Sequence, residues 1–283
     1  MLACRIAART RLAWPEVYPR HARRCRQWTP TTLKQSPMSR TARIYNLLRR
    51  RYRARRLGIE FRRGARWVLP AEMFVNGRRW AISAPDDGGT KDAFLNIFLD
   101  DCYGIESIGH PVRTVLDIGA HAGFFSMHAR NTYPDAVIHA YEPNPNMKEF
   151  LEHQSGIGGF SYFLEAVGNK DDMVRLHTYA KDSVLTRCRP GGDISQVAFR
   201  TCVLRLGGSV DLLKLDCEGA EWSILTDTDG LAAVRSLTME YHLHLEDERH
   251  TEAELVSIVR KLGFRVLEQT SSAPTWGLLR ATR

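Results

Sequence analysis

The fold is decided by residues 112–126, which read VRTVLDIGAHAGFFS. An apolar, β-branched run ends at Asp117, a loop containing Gly119 and Gly123 follows, and a helical stretch begins at Phe124. In doubly wound α/β sheets the ligand lies at the carboxyl ends of the strands, where glycine lets the backbone come close to it. The stretch therefore predicts a strand, a ligand-binding loop and a helix.

A second acidic residue follows about one strand–helix unit later. Residues 136–141, AVIHAY, predict a strand that ends at Glu142. A carboxylate at the tip of the second strand can accept hydrogen bonds from the ribose hydroxyls of a nucleoside. The combination of a glycine loop with this acid is typical of a site for an adenosyl ligand.

The residues in the loop distinguish between two adenosyl cofactors. The Gly-x-Gly-x-x-Gly fingerprint of dinucleotide-binding proteins, started at Gly119, would need glycine at 121 and 124, where the chain has His121 and Phe124. Asp117 would also repel a pyrophosphate, whereas it suits the cationic methionine moiety of S-adenosylmethionine. The sequence therefore favours S-adenosylmethionine as the cofactor.

A second group of acids follows the apolar run Val210–Leu215. Asp216 and Glu218 come at the end of this predicted strand, and a later strand, residues 237–242, delivers His242 to the same edge of the sheet. These three residues are the candidate catalytic residues, because a carboxylate or a neutral imidazole can remove the proton of an acceptor hydroxyl. The alternative is structural: the two acids cap the next helix and pair with Lys214, and His242 is a core histidine. The spacing demands no metal ion, and we predict none.

Composition indicates an ordinary globular protein. The chain is 43% hydrophobic and 25% charged, and no apolar stretch approaches the length needed to span a bilayer. The six cysteines contain no Cys-x-x-Cys pair, which argues against a zinc ribbon or a disulfide framework and favours a reducing, cytoplasmic location.

The positive charge is concentrated in an N-terminal arm, residues 1–59. The arm contains fifteen arginines, Lys34 and one acid, Glu16, so its net charge is +15. Because the net charge of the whole chain is +8, residues 60–283 carry a net charge of −7. We expect disorder to about residue 40, and then a short amphipathic basic helix over Arg40–Arg56. Three interpretations of the arm stay open. It is a dispensable tail or the result of a start codon placed too early, it is a transit peptide, or it is a basic segment that contacts RNA or an anionic membrane.

With these residues assembled, the chain resembles the FkbM family of methyltransferases over roughly residues 90–280. The matching pieces are VLDIGAHAG at 115–123, YEPNP at 141–145, EAVG at 165–168 and VDLLKLDCEGAE at 210–221. The resemblance implies that Asp216 to Glu221 line the acceptor side. It also implies a set of cofactor-binding residues: Asp117, Gly119, Ala120, His121, Gly123, Glu142, Ala166 and Val167. His121 stands where the family usually has asparagine.

The resemblance also implies a class I methyltransferase fold, a doubly wound, Rossmann-like α/β sheet of about seven strands. We expect the basic arm, a lead-in region over 60–110 and a methyltransferase domain over 111–283. Tyr162–Val167 is predicted as the third strand, and Phe264–Glu268 with Gly277–Ala281 as a reversed hairpin at the end of the sheet.

The function implied by the family is O-methylation of a hydroxyl on a sugar, glycan or natural-product small molecule. The alternative is an RNA ribose methyltransferase that uses the basic arm; base-amine methylation is disfavoured, because Asp216-Cys217-Glu218-Gly219 replaces the Asp/Asn-Pro-Pro-aromatic block of those enzymes. A third class is a non-catalytic scaffold, against which the intact Asp117, Gly119 and Glu142 argue. The identity of the acceptor and the oligomeric state are left open at this point.

Overall fold

The computed structural model describes residues 40–59, 68–178, 186–243 and 249–283. Residues 1–39, for which we expect disorder, lie outside the described residues. The first element of the described residues is helix α1, Arg40–Arg56, which has the same bounds as the helix that the sequence pattern predicts. Ile44 to Arg283 form one compact unit.

The described residues contain thirteen strands, which form three sheets. In chain order they are β1 Glu72–Val75, β2 Arg78–Ala81, β3 Thr114–Ile118, β4 Val137–Tyr141, β5 Ser161–Phe163, β6 Ala166–Gly168, β7 Asp172–Thr178, β8 Thr186–Pro190, β9 Ile194–Ala198, β10 Val210–Leu215, β11 Val234–His242, β12 Arg265–Ala273 and β13 Trp276–Thr282.

The main sheet has seven strands in the order β12-β13-β11-β10-β3-β4-β5. Strands β11, β10, β3, β4 and β5 are parallel, whereas β13 runs antiparallel to both β11 and β12. The predicted seven-stranded α/β sheet and its reversed terminal hairpin are confirmed. The chain winds outward from β3 in both directions, so the ligand crevice of such a sheet is expected at the carboxyl ends of β3 and β10.

The predicted third strand is wrong in its extent. Tyr162–Val167 is not one strand, because the chain leaves the main sheet after Phe163 and enters a separate four-stranded sheet at Ala166. That sheet has the order β6-β9-β7-β8. An alternating apolar pattern specifies an extended chain but not the sheet in which it pairs.

Helices connect and cover these strands. Besides α1 they are α2 Gly88–Phe94, α3 Phe124–Thr132, α4 Lys148–Gly158, α5 Phe199–Arg205, α6 Glu221–Ile224, α7 Thr228–Ala232 and α8 Glu252–Lys261. A π-helical segment, Leu95–Asp100, continues α2, and a short 3-10 turn, Ile105–Ser107, follows it. These two segments carry the chain from the lead-in region towards β3.

The main sheet separates two apolar clusters, one on each face. On β3, Val115 belongs to one cluster and Leu116 to the other, and on β10 the neighbours Leu212 and Leu213 divide in the same way. All four side chains are fully buried. A strand covered on both faces is apolar on both rather than alternating, which explains the neighbouring apolar pairs Val115-Leu116 and Leu212-Leu213.

Candidate active site

The glycine loop after β3 is fixed by backbone contacts to both neighbouring strands. Gly119 has φ +79°, and a Cβ built on it would lie 1.7 Å from the carbonyl oxygen of Asp216. The N–H groups of Gly119 and Ala120 both donate to the carbonyl of Tyr141, at 3.0 Å. Glycine at 119 is therefore required by the packing of the loop against the end of β10, before any ligand is considered.

His121 occupies a left-handed backbone position, with φ +48°. Its N–H donates to Oε2 of Glu142 at 2.8 Å. Burial lowers the pKa of its imidazole to about 4, so the ring is neutral at physiological pH. Asparagine and histidine are both enriched among the few non-glycine residues that adopt this conformation, which accounts for the departure from the family pattern at this position.

Glu142 follows β4 and presents its carboxylate to the glycine loop. Its Oε1 accepts the N–H of Asn144 at 2.9 Å, and its Oε2 accepts that of His121. Burial raises the pKa of this carboxyl to about 7, although the two backbone hydrogen bonds oppose the shift. An ionised carboxylate has about four acceptor positions, so each oxygen keeps one for a ribose hydroxyl. These residues fit an adenosyl group.

Asp117 lies beneath the loop rather than on its surface. Its side chain is fully buried, and its Oδ2 accepts a hydrogen bond from Oγ of Ser126 at 2.7 Å. The Nζ of Lys214 lies 3.3 Å from its Oδ1 and also donates to the carbonyl of Gly119. Burial by itself would lower the pKa of Lys214, but Asp117 and Asp216 raise it to about 12, so the lysine stays charged. This buried ion pair supports the loop from below.

The remaining predicted cofactor residues lie around the same loop or in β6. Gly123 has φ +81° and immediately precedes α3, where its N–H donates to the carbonyl of Ala120. Ala166 and Val167 lie in β6 with side chains only 2% and 4% exposed. Because both side chains are buried, these two residues could contact a ligand only through their backbone groups.

The turn after β10 is organised by Glu221, which is completely buried. Its two carboxylate oxygens accept the N–H groups of Cys217 and Gly219, each at 2.8 Å. Within this turn Glu218 has a left-handed backbone, with φ +53°. Glutamate tolerates that conformation poorly, and strained backbone of this kind is concentrated at functional sites.

His242, at the end of β11, lies among three glutamates. Its Nε2 is 3.5 Å from Oε2 of Glu218 and 3.7 Å from Oε1 of Glu240, and its Nδ1 is 3.4 Å from Oε1 of Glu221. Burial opposes the charged imidazole, but these carboxylates raise its pKa well above the usual value, with Glu221 contributing most. These carboxylates therefore favour the charged imidazolium over the neutral imidazole that was expected as a base, and a catalytic role for His242 stays a prediction.

The glutamates around His242 differ in their protonation. Burial would raise the pKa of Glu221, but His242 and the backbone N–H groups hold it below the usual value. Burial raises the pKa of Glu218 to about 7, with His242 opposing. Burial and the charge of Asp216 raise the pKa of Glu240 well above its usual value. Glu221 is therefore held as a carboxylate, Glu218 titrates near neutral pH, and Glu240 binds its proton more tightly than an ordinary glutamate.

Asp216 is held by a residue from the lead-in region. The hydroxyl of Tyr103 donates to its Oδ2 at 2.7 Å, and Nζ of Lys214 lies 3.7 Å from the same oxygen. Burial raises the pKa of Tyr103 well above its usual value, so the phenol remains a donor. The sequence gives no sign of this contact, because Tyr103 and Asp216 are far apart in the chain.

A separate group of possible metal ligands lies away from this turn, among the described residues. It consists of Asp101, Glu106 and His128. Both oxygens of Asp101 accept backbone N–H groups of the adjacent 3-10 turn, and Glu106 pairs with Arg53. These carboxylates are accounted for by the local structure of the turn.

Comparison with known proteins gives a family match and several distant relatives. The methyltransferase FkbM domain matches residues 117–266, more than half of the chain. Methyltransferase 1 of Beauveria bassiana is 24% identical over 47% of this chain and 65% of its own length. Methyltransferase sdnD of Sordaria araneosa is 25% identical over 52% of this chain and 73% of its own length. The AMB antimetabolite synthetase AmbE of Pseudomonas aeruginosa is 24% identical over 62% of this chain but only 11% of that protein.

Solved structures with a similar fold are more distant in sequence. An O-methyltransferase family protein from Burkholderia thailandensis has a TM-score of 0.41 and 13% identity, covering 68% of this chain and 57% of that one. The fibrillarin pre-rRNA processing protein of Methanococcus jannaschii has a TM-score of 0.45 and 12% identity, covering 79% and 86%. The strand order of the main sheet is that of class I methyltransferases, and the FkbM domain covers both the glycine loop and the acidic turn. The chain belongs to the methyltransferase FkbM domain family.

Proposed function

We propose that the protein is an S-adenosylmethionine-dependent O-methyltransferase that acts on a hydroxyl of a sugar, a glycan or a natural-product small molecule. The observation that carries this proposal is the group formed by Glu218, Glu240 and the His242 imidazolium at the ends of β10 and β11. Strand β10 is the direct neighbour of β3, whose loop carries the candidate cofactor residues. A binding site and an acid–base group therefore share one edge of the sheet.

The proposed cofactor site uses Glu142 and the backbone of the glycine loop. Glu142 would accept the two ribose hydroxyls, and the loop after Gly119 would run along the nucleoside. When bound, S-adenosylmethionine would supply an electrophilic methyl group. The acceptor oxygen would attack that methyl carbon in line with its bond to the sulfur. Because Asp117 is buried and paired with Lys214, its part in this proposal is to support the loop rather than to meet the charge of the ligand.

We assign the role of general base to Glu218. Its pKa of about 7 lies near physiological pH. At that pH a sizeable fraction of the carboxyl is ionised, and the carboxylate is still basic enough to take up a proton. In this role the Glu218 carboxylate would accept the proton that the acceptor hydroxyl loses on methylation, and S-adenosylhomocysteine would be the leaving group. His242 stays protonated and holds the carboxylates in place, so it is a positioning residue in this proposal.

The charge around the acceptor position favours a neutral hydroxyl compound. The two cations here, Lys214 and His242, already face carboxylates, and the ionised form of Glu218 adds a further negative charge. A phosphodiester backbone would be repelled by ionised carboxylates, since nucleic-acid binding depends on cations at the phosphates. Ribose methylation of RNA, the alternative from the sequence, is therefore the less favoured function at this site.

The test combines cofactor binding with turnover. We expect S-adenosylhomocysteine to bind in isothermal titration calorimetry, and a panel of glycosides and polyhydroxylated metabolites to contain an acceptor of labelled methyl groups. Glu218→Gln should keep the binding of S-adenosylhomocysteine and lose about 100-fold or more in kcat, the usual contribution of a general base. Glu149→Gln, at an exposed position of α4, is the matched control and should change neither.

Three outcomes would contradict parts of the proposal. Absence of S-adenosylhomocysteine binding at millimolar concentration would exclude the cofactor. Full turnover by Glu218→Gln would exclude the assigned base. Cofactor binding without methyl transfer to any acceptor of a broad panel would favour a non-catalytic scaffold with the same fold.

A further inference from the structure

Helix α1 presents its apolar side chains to the solvent. Five of them are at least half exposed: Ile44, Tyr45, Leu47, Leu48 and Tyr52, at 51%, 66%, 50%, 59% and 62%. No other element among the described residues has more than one exposed large apolar side chain. Soluble proteins rarely leave a contiguous apolar surface of this kind without a partner.

The helix contacts the rest of the unit through its arginines. Arg50 pairs with Asp100, and Arg53 pairs with Glu106. Ala54, next to Arg53, is only 2% exposed. A surface helix normally buries its apolar stripe, whereas α1 exposes it and turns Arg50 and Arg53 towards the rest of the unit. The ion pairs thus fix an orientation in which the apolar stripe faces outward.

The outward face is cationic as well as apolar. Ile44, Leu48 and Tyr52 follow each other at four-residue spacing and form one stripe along the helix. Arg51 and Arg55 lie three and seven residues after Leu48, so they fall on the same side, and both are exposed. Helix α1 contains no acidic residue, so nothing in it offsets these charges.

We propose that the outward face of α1 binds the surface of an anionic lipid bilayer, with the helix lying in the plane of the interface. Isoleucine and leucine side chains would enter the acyl boundary, and tyrosine is suited to the headgroup level. The arginines can extend their aliphatic stems along the apolar layer and place their guanidinium groups at the lipid phosphates. No helix in the described part of the chain is long and apolar enough to cross a membrane, so this contact would be peripheral.

Charge complementarity selects the bilayer over the other possible occupants of this face. Residues 1–39 contain seven arginines, Lys34 and a single acid, Glu16, so that segment would be repelled by Arg51 and Arg55. A second copy of α1 would bring the same positive charges together. RNA would satisfy the arginines but would leave Leu47 and Leu48 in water. An anionic bilayer satisfies both components at once.

The first test removes the apolar component. The full chain is sedimented with vesicles of phosphatidylcholine, with and without phosphatidylserine, and we expect binding to the anionic vesicles. Leu47→Ser/Leu48→Ser should weaken that binding roughly 100-fold, since each leucine buried at the interface contributes about tenfold. The loss should persist at high ionic strength, where surface charge is screened. Leu204→Ser, at a side chain of α5 that is 68% exposed, is the control and should bind as the parent does.

The second test removes the charge. Arg51→Gln/Arg55→Gln should weaken binding to anionic vesicles roughly 25-fold at low salt, because a cation near such a surface contributes roughly fivefold. Arg113→Gln/Arg265→Gln, which removes two exposed arginines elsewhere, should have less than about a twofold effect. Binding of S-adenosylhomocysteine, which uses other residues, serves as the check that each variant is folded. It also separates failure of this inference from failure of the proposed function.

Three results would overturn the inference. If neither double variant changes vesicle binding, the membrane contact belongs to the basic segment before α1. Unchanged vesicle binding with loss of RNA binding would assign the face to a nucleic acid. A shift from dimer to monomer in Leu47→Ser/Leu48→Ser, without any change in vesicle binding, would make the face a contact between copies of this chain.

Discussion

Gly119 has two separate reasons to be glycine, and they can be measured apart. Its positive φ disfavours any side chain, and a Cβ would also collide with the carbonyl oxygen of Asp216. Gly159, which ends α4, has a similar φ of +61° but open space around the position of a Cβ. We expect Gly159→Ala to cost about 1 kcal/mol of the free energy of unfolding, the strain of the left-handed backbone. Gly119→Ala should cost about 3 kcal/mol or more, because the clash adds to the strain.

Urea denaturation of the two variants checks this difference. Equal costs for Gly119→Ala and Gly159→Ala would mean that the loop can move away from β10. In that case the packing of the glycine loop against Asp216 would not be the reason for glycine at this position.

Glu142 gives cofactor binding a specific dependence on pH. Its carboxyl has a pKa of about 7 in the free protein, and only the ionised form can accept hydrogen bonds on both oxygens. The ionised fraction falls about tenfold between pH 8 and pH 6. We therefore expect the affinity for S-adenosylhomocysteine, measured by calorimetry, to be about tenfold weaker at pH 6 than at pH 8.

Two variants separate Glu142 from the other group that titrates in the same range. Glu142→Gln should bind weakly at both pH values, because an amide supplies a single acceptor oxygen. Glu218→Gln should keep the pH dependence of the parent. Retention of a tenfold pH effect in Glu142→Gln would assign that effect to another residue.

At the scale of single elements, the sequence predicts what local chemistry determines. The loop after β3 was recognisable because an apolar run, an acid and two glycines stand next to each other in the chain. Helix α8 is fixed by local interactions of the same kind: Thr251 and Glu254 form its capping box, and Gly263 follows its end with φ +87°. In each case the interactions that fix the element lie within a few residues of one another.

Contacts between distant elements could not be predicted in this way. Tyr103 reaches Asp216 only because the chain after the π-helical segment passes the end of β10. The pKa of His242 is raised by Glu221 and Glu218 from the turn after β10, and by Glu240 from its own strand. The contacts with Glu218 and Glu221 join two elements, so the sequence left a neutral imidazole as the expectation. The separate four-stranded sheet depends on pairings such as β6 with β9, which join Val167 to Val197.

At the scale of the whole molecule, the site reduces stability as the pH rises. Glu142 and Glu218 have pKa values near 7 in the folded protein, against an ordinary value of 4.5. The folded state therefore binds more protons than the unfolded state above pH 4.5, so the free energy of unfolding decreases with pH up to about 7. His242, whose pKa is raised above 6.5, acts in the same direction at higher pH, because its favourable charge is lost as the pH rises through the folded-state value.

We therefore expect the free protein to be less stable at pH 8 than at pH 5.5, by roughly 2–4 kcal/mol from Glu142 and Glu218 together. Glu240 and His242, whose pKa values are also raised, add to the loss in the same direction. Urea denaturation at the two pH values measures the difference. Glu142→Gln/Glu218→Gln should reduce the difference by roughly 2–4 kcal/mol, whereas Glu149→Gln, at an exposed position, should leave it unchanged. A parent protein that becomes more stable from pH 5.5 to pH 8 would show that these glutamates are ionised and well solvated in the free enzyme. The proposed base would then have an ordinary pKa, and orientation of the acceptor would have to supply more of the rate.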